Sequence, residues 1–279
     1  MENEVLRRVQ LCQLEIAKEF RRICDELQLR YILDAGTLLG AIRHGGFIPW
    51  DDDLDIGMPR EDYERFLKEA PSLLNERFFL QTWDSDPYYG LAYAKIRMAG
   101  TAYVEAASGK SKAQNGIFID VIPYDVYPDK ESDRKWQGKR FDLYKRQILV
   151  KCGYTPWVTS SSGIKRLLKG IGYIPLRLSA AVQSRKKLIQ KYKDMAVRFN
   201  EHPTGYCYLQ DGASNYGEWV IPSECLTELD TVKFEGENFL APKNYDLLLK
   251  TIYGDYMKLP PESERQNRHQ LIDIRFPEE

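Results

Sequence analysis

The chain has 279 residues, of which 43% are hydrophobic and 29% charged, and its formal net charge is −1. These values are typical of a globular protein, and no apolar run approaches the roughly 20 residues that span a bilayer. The charge balance indicates no nucleic-acid partner, and the five cysteines and three histidines form no zinc-ligand spacing. We therefore expect a soluble, cytoplasmic protein without a secretory signal, with free thiols and one catalytic core.

The first elements in the chain are an amphipathic helix, a strand and a glycine turn. Apolar residues recur every three or four positions over residues 4–27, which predicts one helix, although Gln13 breaks the pattern. Strand composition at 29–33 precedes Gly36 and Thr37. We interpret these two residues as a tight turn that opens a short helix, with Gly36 allowing close approach and Thr37 as the N-cap.

The rest of the chain has the patterns of a mixed fold. A helix is predicted over 60–68, and residues 130–200 have helical periodicity. The tail is expected to form a hairpin over 232–240 and a helix over 242–253. Segments rich in aromatic and branched residues are predicted strands: 78–83, 91–98, 101–105 and 117–123. The predicted fold class is α/β (α+β), a mixed sheet flanked by helices.

A cluster of aspartates follows the glycine turn: Asp51, Asp52, Asp53 and Asp55. If the chain is extended there, Asp51, Asp53 and Asp55 share one face while Asp52 points away. Carboxylates this close repel one another unless a cation lies between them, and hard oxygen ligands favour Mg²⁺ or Mn²⁺. The alternative is a solvated acidic loop, but the apolar flanks indicate that the run enters a core.

Asp120 is a lone carboxylate in an apolar strand that is expected to be buried on both faces. Burying this charge unpaired would cost several kcal/mol, so it needs a metal, a cation or a proton. Hydrogen bonds from backbone N–H groups are the alternative. A third metal ligand explains Asp120 and the first cluster together, which predicts metal held by Asp53, Asp55 and Asp120.

Three parts of the sequence carry a longer pattern: Asp34 to Ile56, Gly116 to Asp125, and Phe234 to Gly236 with Tyr253 to Pro261. Together they resemble the motifs of the LicD-type phosphocholine transferases, whose relatives include the fukutin-related ribitol-phosphate transferases. The resemblance implies a nucleotidyltransferase-type fold, in which a glycine turn at a helix start contacts phosphate and three aspartates hold divalent metal. It leaves residues 130–225 without a matching motif.

The resemblance implies roles for particular residues. They are Gly36 and Thr37 for phosphate, Asp53, Asp55 and Asp120 for metal, and Asp51 or Asp120 as general base. Candidates for neutralising phosphate are Arg43, His44, Lys95 and Arg97. Lys95 and Arg97 share a strand face because they are two positions apart, although each of the four residues is equally suited to a surface. Nearby aromatic residues, among them Trp83 and Tyr89, suit base stacking, a choline cage or core packing.

The predicted organisation has three parts: a nucleotidyltransferase-like core over 1–128, a mainly helical basic segment over 129–225, and a hairpin and helix over 226–279 that return to the core. Between Leu143 and Lys193 there are twelve Lys or Arg and no Asp or Glu. Such charges among apolar residues are typical of a helix that lies on an anionic membrane. A helical subdomain with a solvated basic face is the alternative.

The predicted function is transfer of a phospho-alcohol, with phosphocholine from CDP-choline as the first choice, to a sugar hydroxyl of a cell-surface glycan precursor. The reaction releases CMP. The predicted acceptors include lipid-linked glycans at the inner face of the membrane. One alternative is a nucleotidyltransferase that uses a nucleoside triphosphate and releases pyrophosphate. Another is a non-catalytic nucleotide-binding regulator, which the intact acidic cluster disfavours because such a protein need not keep repelling carboxylates together.

Overall fold

The computed structural model describes residues 3–106, 111–154, 170–210, 215–266 and 271–277, and a mixed sheet lies at its centre. The strands in chain order are β1 (Ile32–Leu33), β2 (Asp55–Pro59), β3 (Phe78–Gln81), β4 (Ala94–Met98), β5 (Ala102–Glu105), β6 (Phe118–Val126), β7 (Tyr206–Leu209), β8 (Val220–Pro222), β9 (Leu229–Phe234), β10 (Glu237–Pro242) and β11 (Leu271–Arg275). The four strands predicted before residue 126 are therefore all present.

Strand β6 organises the central sheet, whose main order is β1-β2-β6-β4-β3. It pairs in parallel with β2 and antiparallel with β4, and its last residues pair antiparallel with β7, which in turn pairs with β8. The parallel register sets Asp55 opposite Asp120. Two aspartates that are 65 positions apart in sequence thereby become neighbours.

The helices pack around this sheet. They are α1 (Asn3–Leu27), α2 (Ala35–His44), α3 (Arg60–Glu69), α4 (Glu131–Lys151), α5 (Ile174–Ala181), α6 (Arg185–Ala196) and α7 (Tyr245–Tyr253). The predicted spacing of buried apolar residues along α1 is confirmed, since Val9, Ile16, Phe20 and Ile23 are all buried. Phe20 contacts Phe66 of α3 with ring centroids 5.0 Å apart, so α1 and α3 cover the same face of the sheet.

The middle of the chain forms a second apolar cluster on α4 and α6, as the helical periodicity predicted. The rings of Phe141 on α4 and Tyr192 on α6 pack together. Phe141 also contacts Tyr208 of β7, and Tyr192 also contacts Trp83. The same part of the chain also adds β7 and β8 to the central sheet, which no sequence pattern indicated. The mixed α/β fold class is confirmed.

The C-terminal hairpin β9–β10 folds back onto the loop that follows α2. Glu235, in its turn, donates its N–H to the Gly45 carbonyl at 2.9 Å and accepts the Phe47 N–H at 3.2 Å. Asn244 caps α7 by accepting the Leu247 N–H, so this helix begins three residues later than predicted. The distant C-terminal motif thus supports the loop that leads to the aspartates.

All five cysteines lie among the described residues, and each is a free thiol. Among the helices that the structure describes, none combines the length and the apolar composition that a transmembrane span requires.

Candidate active site

The start of α2 differs from the prediction in its cap. Asp34, rather than Thr37, is the N-cap, and its carboxylate accepts the Ala35 N–H at 2.8 Å. Thr37 Oγ1 instead accepts the N–H of Asp55 at 2.8 Å, which fixes the first residue of β2 beside α2. Ala35 has a φ of 43°, a left-handed conformation that costs a non-glycine residue on the order of 1 kcal/mol. The chain therefore bends sharply where the resemblance implies a phosphate contact.

Gly36 lies against the side chain of Asp51. A Cβ atom at position 36 would be 2.9 Å from Asp51 Oδ2, so a larger residue would push this carboxylate away. Backbone N–H groups at a helix start favour negative charge, and here two carboxylates, those of Asp34 and Asp51, lie beside this helix start. Contact of Gly36 and Thr37 with a phosphate remains a prediction.

Strand β2 begins only at Asp55, so Asp51, Asp52 and Asp53 precede the regular strand. One carboxylate oxygen from each of Asp51, Asp52 and Asp53 lies within 4.8 Å of the other two. The prediction that Asp52 points away from its neighbours is therefore wrong. Asp52 differs from them in another way, since its buried carboxylate accepts a hydrogen bond from the hydroxyl of Tyr103.

The site brings Asp55 and Asp120 together with a buried cation. Lys95 pairs with Asp120 across β4 and β6, and its Nζ lies 2.6 Å from Asp120 Oδ1. The ammonium-bearing side chain is only 3% exposed. The pKa of Asp55 lies well above its usual range because burial, and then the charges of Asp53 and Asp120, oppose its ionisation. Lys95 therefore supplies a positive charge directly to the carboxylate of Asp120.

These carboxylates have the chemistry of a site for a hard divalent cation. Asp51, Asp52 and Asp53 offer three oxygens within a small volume, and Asp55 and Asp120 add two more carboxylates beside them. Among the described residues, neither cysteine nor histidine belongs to the close group, and carboxylate oxygens are the ligands that Mg²⁺ and Mn²⁺ prefer. The residues present therefore fit the predicted metal.

Lys95 and Arg97 both lie over the ring of Phe118, at 3.3 and 4.9 Å from its centroid, which agrees with the predicted shared face. Arg97 is buried, and it donates to Gln81 Oε1 at 2.5 Å and to the Gly116 carbonyl at 2.6 Å. Arg97 thus fastens the second motif to the neighbouring strands, while Lys95 provides charge directly at the carboxylates.

Arg43 and His44 lie at the opposite end of α2 from Gly36, about 10 Å further along the helix axis. Arg43 donates to His44 Nε2 and to the Tyr256 carbonyl, both at 2.9 Å. Burial and the neighbouring Arg43 lower the pKa of His44, so its ring is neutral and accepts this bond. Their described contacts join α2 to the C-terminal motif and include no aspartate of the cluster.

Two glutamines on the buried side of α1 hold the aspartate run. Gln10 Nε2 donates to the Asp51 carbonyl at 2.9 Å, and Gln13 Nε2 donates to the carbonyls of Asp52 at 2.6 Å and Phe118 at 3.2 Å. Neither glutamine was among the site residues predicted from the sequence. The break that Gln13 makes in the apolar pattern of α1 was the available signal.

Tyr89 was noted in the sequence only for its ring, yet its hydroxyl is the more informative group. The side chain is fully buried, and its hydroxyl has no hydrogen-bond partner among the described residues. Burial, followed by the charge of Asp120, raises the pKa of Tyr89 well above its ordinary value, so the hydroxyl stays protonated. This buried hydroxyl therefore lies close enough to Asp120 for the charge of that carboxylate to influence it.

We expect Tyr89→Phe to lower turnover by roughly ten-fold at most, because the hydroxyl dipole lies near Asp120 and its loss changes the surroundings of that carboxylate. Thermal stability should be unchanged or higher, because the variant removes an unpaired buried polar group. Turnover and melting temperature are the measurements. Tyr192→Phe, a buried tyrosine on α6 that packs against Trp83, is the matched control and should retain full activity. Equal activity losses in both variants would contradict a specific role for Tyr89.

The family of the chain follows from comparison with known proteins. The sequence model for the LicD/FKTN/FKRP nucleotidyltransferase domain matches residues 28–156. The lipopolysaccharide cholinephosphotransferase LicD of Haemophilus influenzae is 31% identical over 274 residues, which cover 96% of this chain and 97% of that protein. The chain belongs to the LicD family. Its aspartate run and Asp120 both lie inside the matched domain.

More distant members of the LicD family match a shorter part of the chain. The ribitol 5-phosphate transferases FKRP of Homo sapiens and Mus musculus are each 39% identical over 77 residues, which are 25% of this chain and 16% of those proteins. The predicted resemblance to LicD, with fukutin-related relatives, is confirmed. So is the prediction of a LicD-like phosphotransferase.

Proposed function

We propose that this LicD-family protein transfers phosphocholine from CDP-choline to a sugar hydroxyl of a cell-surface glycan precursor and releases CMP. The observation that carries the proposal is the similarity to a lipopolysaccharide cholinephosphotransferase along nearly the full length of both chains. The FKRP proteins, whose names specify a different phospho-alcohol, are similar over a far shorter stretch. Phosphocholine is therefore preferred to ribitol phosphate.

We propose Asp53, Asp55 and Asp120 as the residues that hold Mg²⁺ or Mn²⁺. Two observations support this choice. Asp55 and Asp120 are register partners on the paired strands β2 and β6. The charge of Asp53 contributes to the raised pKa of Asp55. When bound, a divalent cation would neutralise phosphate charge and stabilise the negative charge on the oxygens of the transferring phosphoryl group. Asp51 and Asp52 lie close enough to this set to shape it.

The other roles are assigned to the protein's own groups. Lys95 balances Asp120 and adds positive charge close to the donor phosphates. The N–H groups that begin α2 at Gly36 are suited to phosphate oxygens. Asp51 is the better candidate for accepting the proton of the sugar hydroxyl, because Asp120 Oδ1 is already paired with Lys95.

Product analysis tests the proposal. The protein is incubated with Mg²⁺, a choline-free glycan acceptor and CDP-choline, CDP-ribitol, CDP-glycerol or CTP in separate reactions. We expect CMP release and choline incorporation with CDP-choline, both dependent on the acceptor. Pyrophosphate release from CTP would instead support the nucleotidyltransferase alternative. Binding of the donors without turnover of any of them would support a non-catalytic regulator.

A further inference from the structure

An apolar stripe runs along α5 on the surface of the protein. Ile174 and Leu178 belong to α5, Ile171 lies three residues before its start, and Val182 is its C-cap residue. In chain order, Ile171, Ile174, Leu178 and Val182 are 53%, 47%, 65% and 86% exposed. Their spacings of three, four and four residues put them on one side of a helix. We call this stripe the α5 face. Large apolar side chains grouped in this way on a surface indicate a binding site for an apolar partner.

The surroundings of the α5 face are basic. Arg177 is an exposed cation on α5 itself, and Lys186 and Lys187 are exposed cations that follow it in the chain. Arg146 and Lys151 are exposed cations on α4, and Lys151 Nζ donates to the Ala180 carbonyl of α5 at 3.1 Å. The sequence from Leu143 to Lys193 contains no carboxylate side chain. Further basic and apolar residues of the predicted amphipathic segment lie outside the described residues: Ile164, Lys165, Arg166, Leu167, Leu168 and Lys169.

Arg185 also belongs to the basic stretch from Leu143 to Lys193, but its side chain forms structural hydrogen bonds. Its guanidinium donates to the backbone carbonyls of Trp83, Asp86 and Tyr89 at 2.9 to 3.2 Å. It therefore anchors α6 to the loop after β3. A test of the basic surface must leave Arg185 in place and use exposed residues such as Lys186 and Lys187.

We propose that the α5 face docks on the surface of an anionic lipid bilayer. The four apolar side chains enter the boundary between headgroups and acyl chains, and the flanking lysines and arginines contact lipid phosphates. Charge complementarity selects this partner. A second copy of the chain would bring two equally basic surfaces together, and like charges repel. The surface is separate from the aspartate cluster and does not depend on the identity of the donor.

Docking at this surface has a consequence for the reaction. A protein held at a bilayer by α5 meets acceptors that are confined to the same surface at a high local concentration. Lipid-linked glycan precursors are acceptors of this kind. The effect is expected on the rate with a membrane-bound acceptor and not on the rate with a short water-soluble one.

The experiment is vesicle co-sedimentation of the full chain without substrates. Vesicles of phosphatidylcholine with phosphatidylglycerol are compared with vesicles of phosphatidylcholine alone, at low and at high salt. We expect binding to the anionic vesicles at low salt, and weaker binding at high salt because ions screen the attraction. The double variant Lys186→Gln, Lys187→Gln should bind about 25-fold more weakly, because each lost charge weakens binding about five-fold.

Leu178→Ser with Val182→Ser tests the apolar contribution and should weaken binding by roughly ten-fold or more. The control for the apolar change is Ile272→Ser, which replaces a 64% exposed residue on β11. The control for the charge change is Lys243→Gln with Lys258→Gln, which replaces two exposed lysines elsewhere in the chain. Both controls should bind the vesicles as the unmodified protein does. Circular dichroism and thermal unfolding confirm that each variant is folded.

Three results would overturn the proposal. The first is no binding of the unmodified protein to anionic vesicles at low salt. The second is equal binding by the α5 variants and the controls. The third is a concentration-dependent dimer, detected by light scattering, that the Leu178→Ser and Val182→Ser changes convert to a monomer, because the α5 face would then be an interface between copies. Because no substrate is present, failure here leaves the proposed phosphocholine transfer untouched.

Discussion

Replacing Asp53 or Asp55 with asparagine is expected to lower turnover at least about 100-fold while leaving the fold intact. Loss of one charged ligand removes several kcal/mol of stabilisation from a phosphoryl-transfer site, and each 1.4 kcal/mol corresponds to about ten-fold in rate. Asp55 begins β2 and is fixed by the Thr37 hydroxyl through its backbone, which asparagine retains. Turnover and circular dichroism of the purified variants are the measurements.

The same variants should be more stable than the unmodified protein when metal is absent. Asparagine removes a charge that burial and the neighbouring carboxylates disfavour, as the raised pKa of Asp55 indicates. A gain of about 1 kcal/mol corresponds to a rise in melting temperature of roughly 2 to 4 °C for a protein of this size. A variant that is both inactive and much less stable would show that the aspartate supports the fold rather than the reaction.

Asp52→Asn is the internal control for these variants, and we expect a milder loss of activity. Asp52 is buried and accepts the hydroxyl of Tyr103, and an asparagine oxygen can accept the same hydrogen bond. Because its carboxylate lies with those of Asp51 and Asp53, some loss is still expected. Comparable losses at Asp52, Asp53 and Asp55 would contradict the assignment of only the latter two as metal ligands.

Removal of divalent metal is expected to abolish turnover. The crowded carboxylates of Asp51, Asp52 and Asp53 repel one another and a negatively charged phosphoryl group unless a cation lies between them. After dialysis against EDTA, Mg²⁺ or Mn²⁺ should restore activity, whereas Zn²⁺ should restore little because it prefers nitrogen and sulfur ligands in tetrahedral sites. Sustained turnover in excess EDTA would exclude the metal site.

A second measurement separates metal binding from catalysis. Mg²⁺ should raise the melting temperature of the metal-depleted protein, because a ligand that binds only the folded state stabilises it. The Asp55→Asn variant should show a smaller rise at the same Mg²⁺ concentration. Restored activity without any thermal shift in the unmodified protein would indicate that the metal enters with the donor phosphates instead of binding this cluster first.

The sequence by itself determined most of the local elements, β7 and β8 excepted, and the chemical character of the site. The apolar period of residues 4–27 specified α1, because a helix with one buried side needs that spacing whatever it packs against. Asp120 in an apolar strand and the run from Asp51 to Asp55 indicated charge in a core. The long motif around them was sufficient to indicate the LicD family.

Only the tertiary structure decided which groups meet. Gln13 bonds to carbonyls 39 and 105 positions away, and Lys95 pairs with Asp120 across two strands. Thr37 proved to hold Asp55 instead of capping α2. Sequence patterns specify periodicity and burial, whereas a hydrogen-bond partner is selected by strand order and register, which depend on contacts between distant parts of the chain.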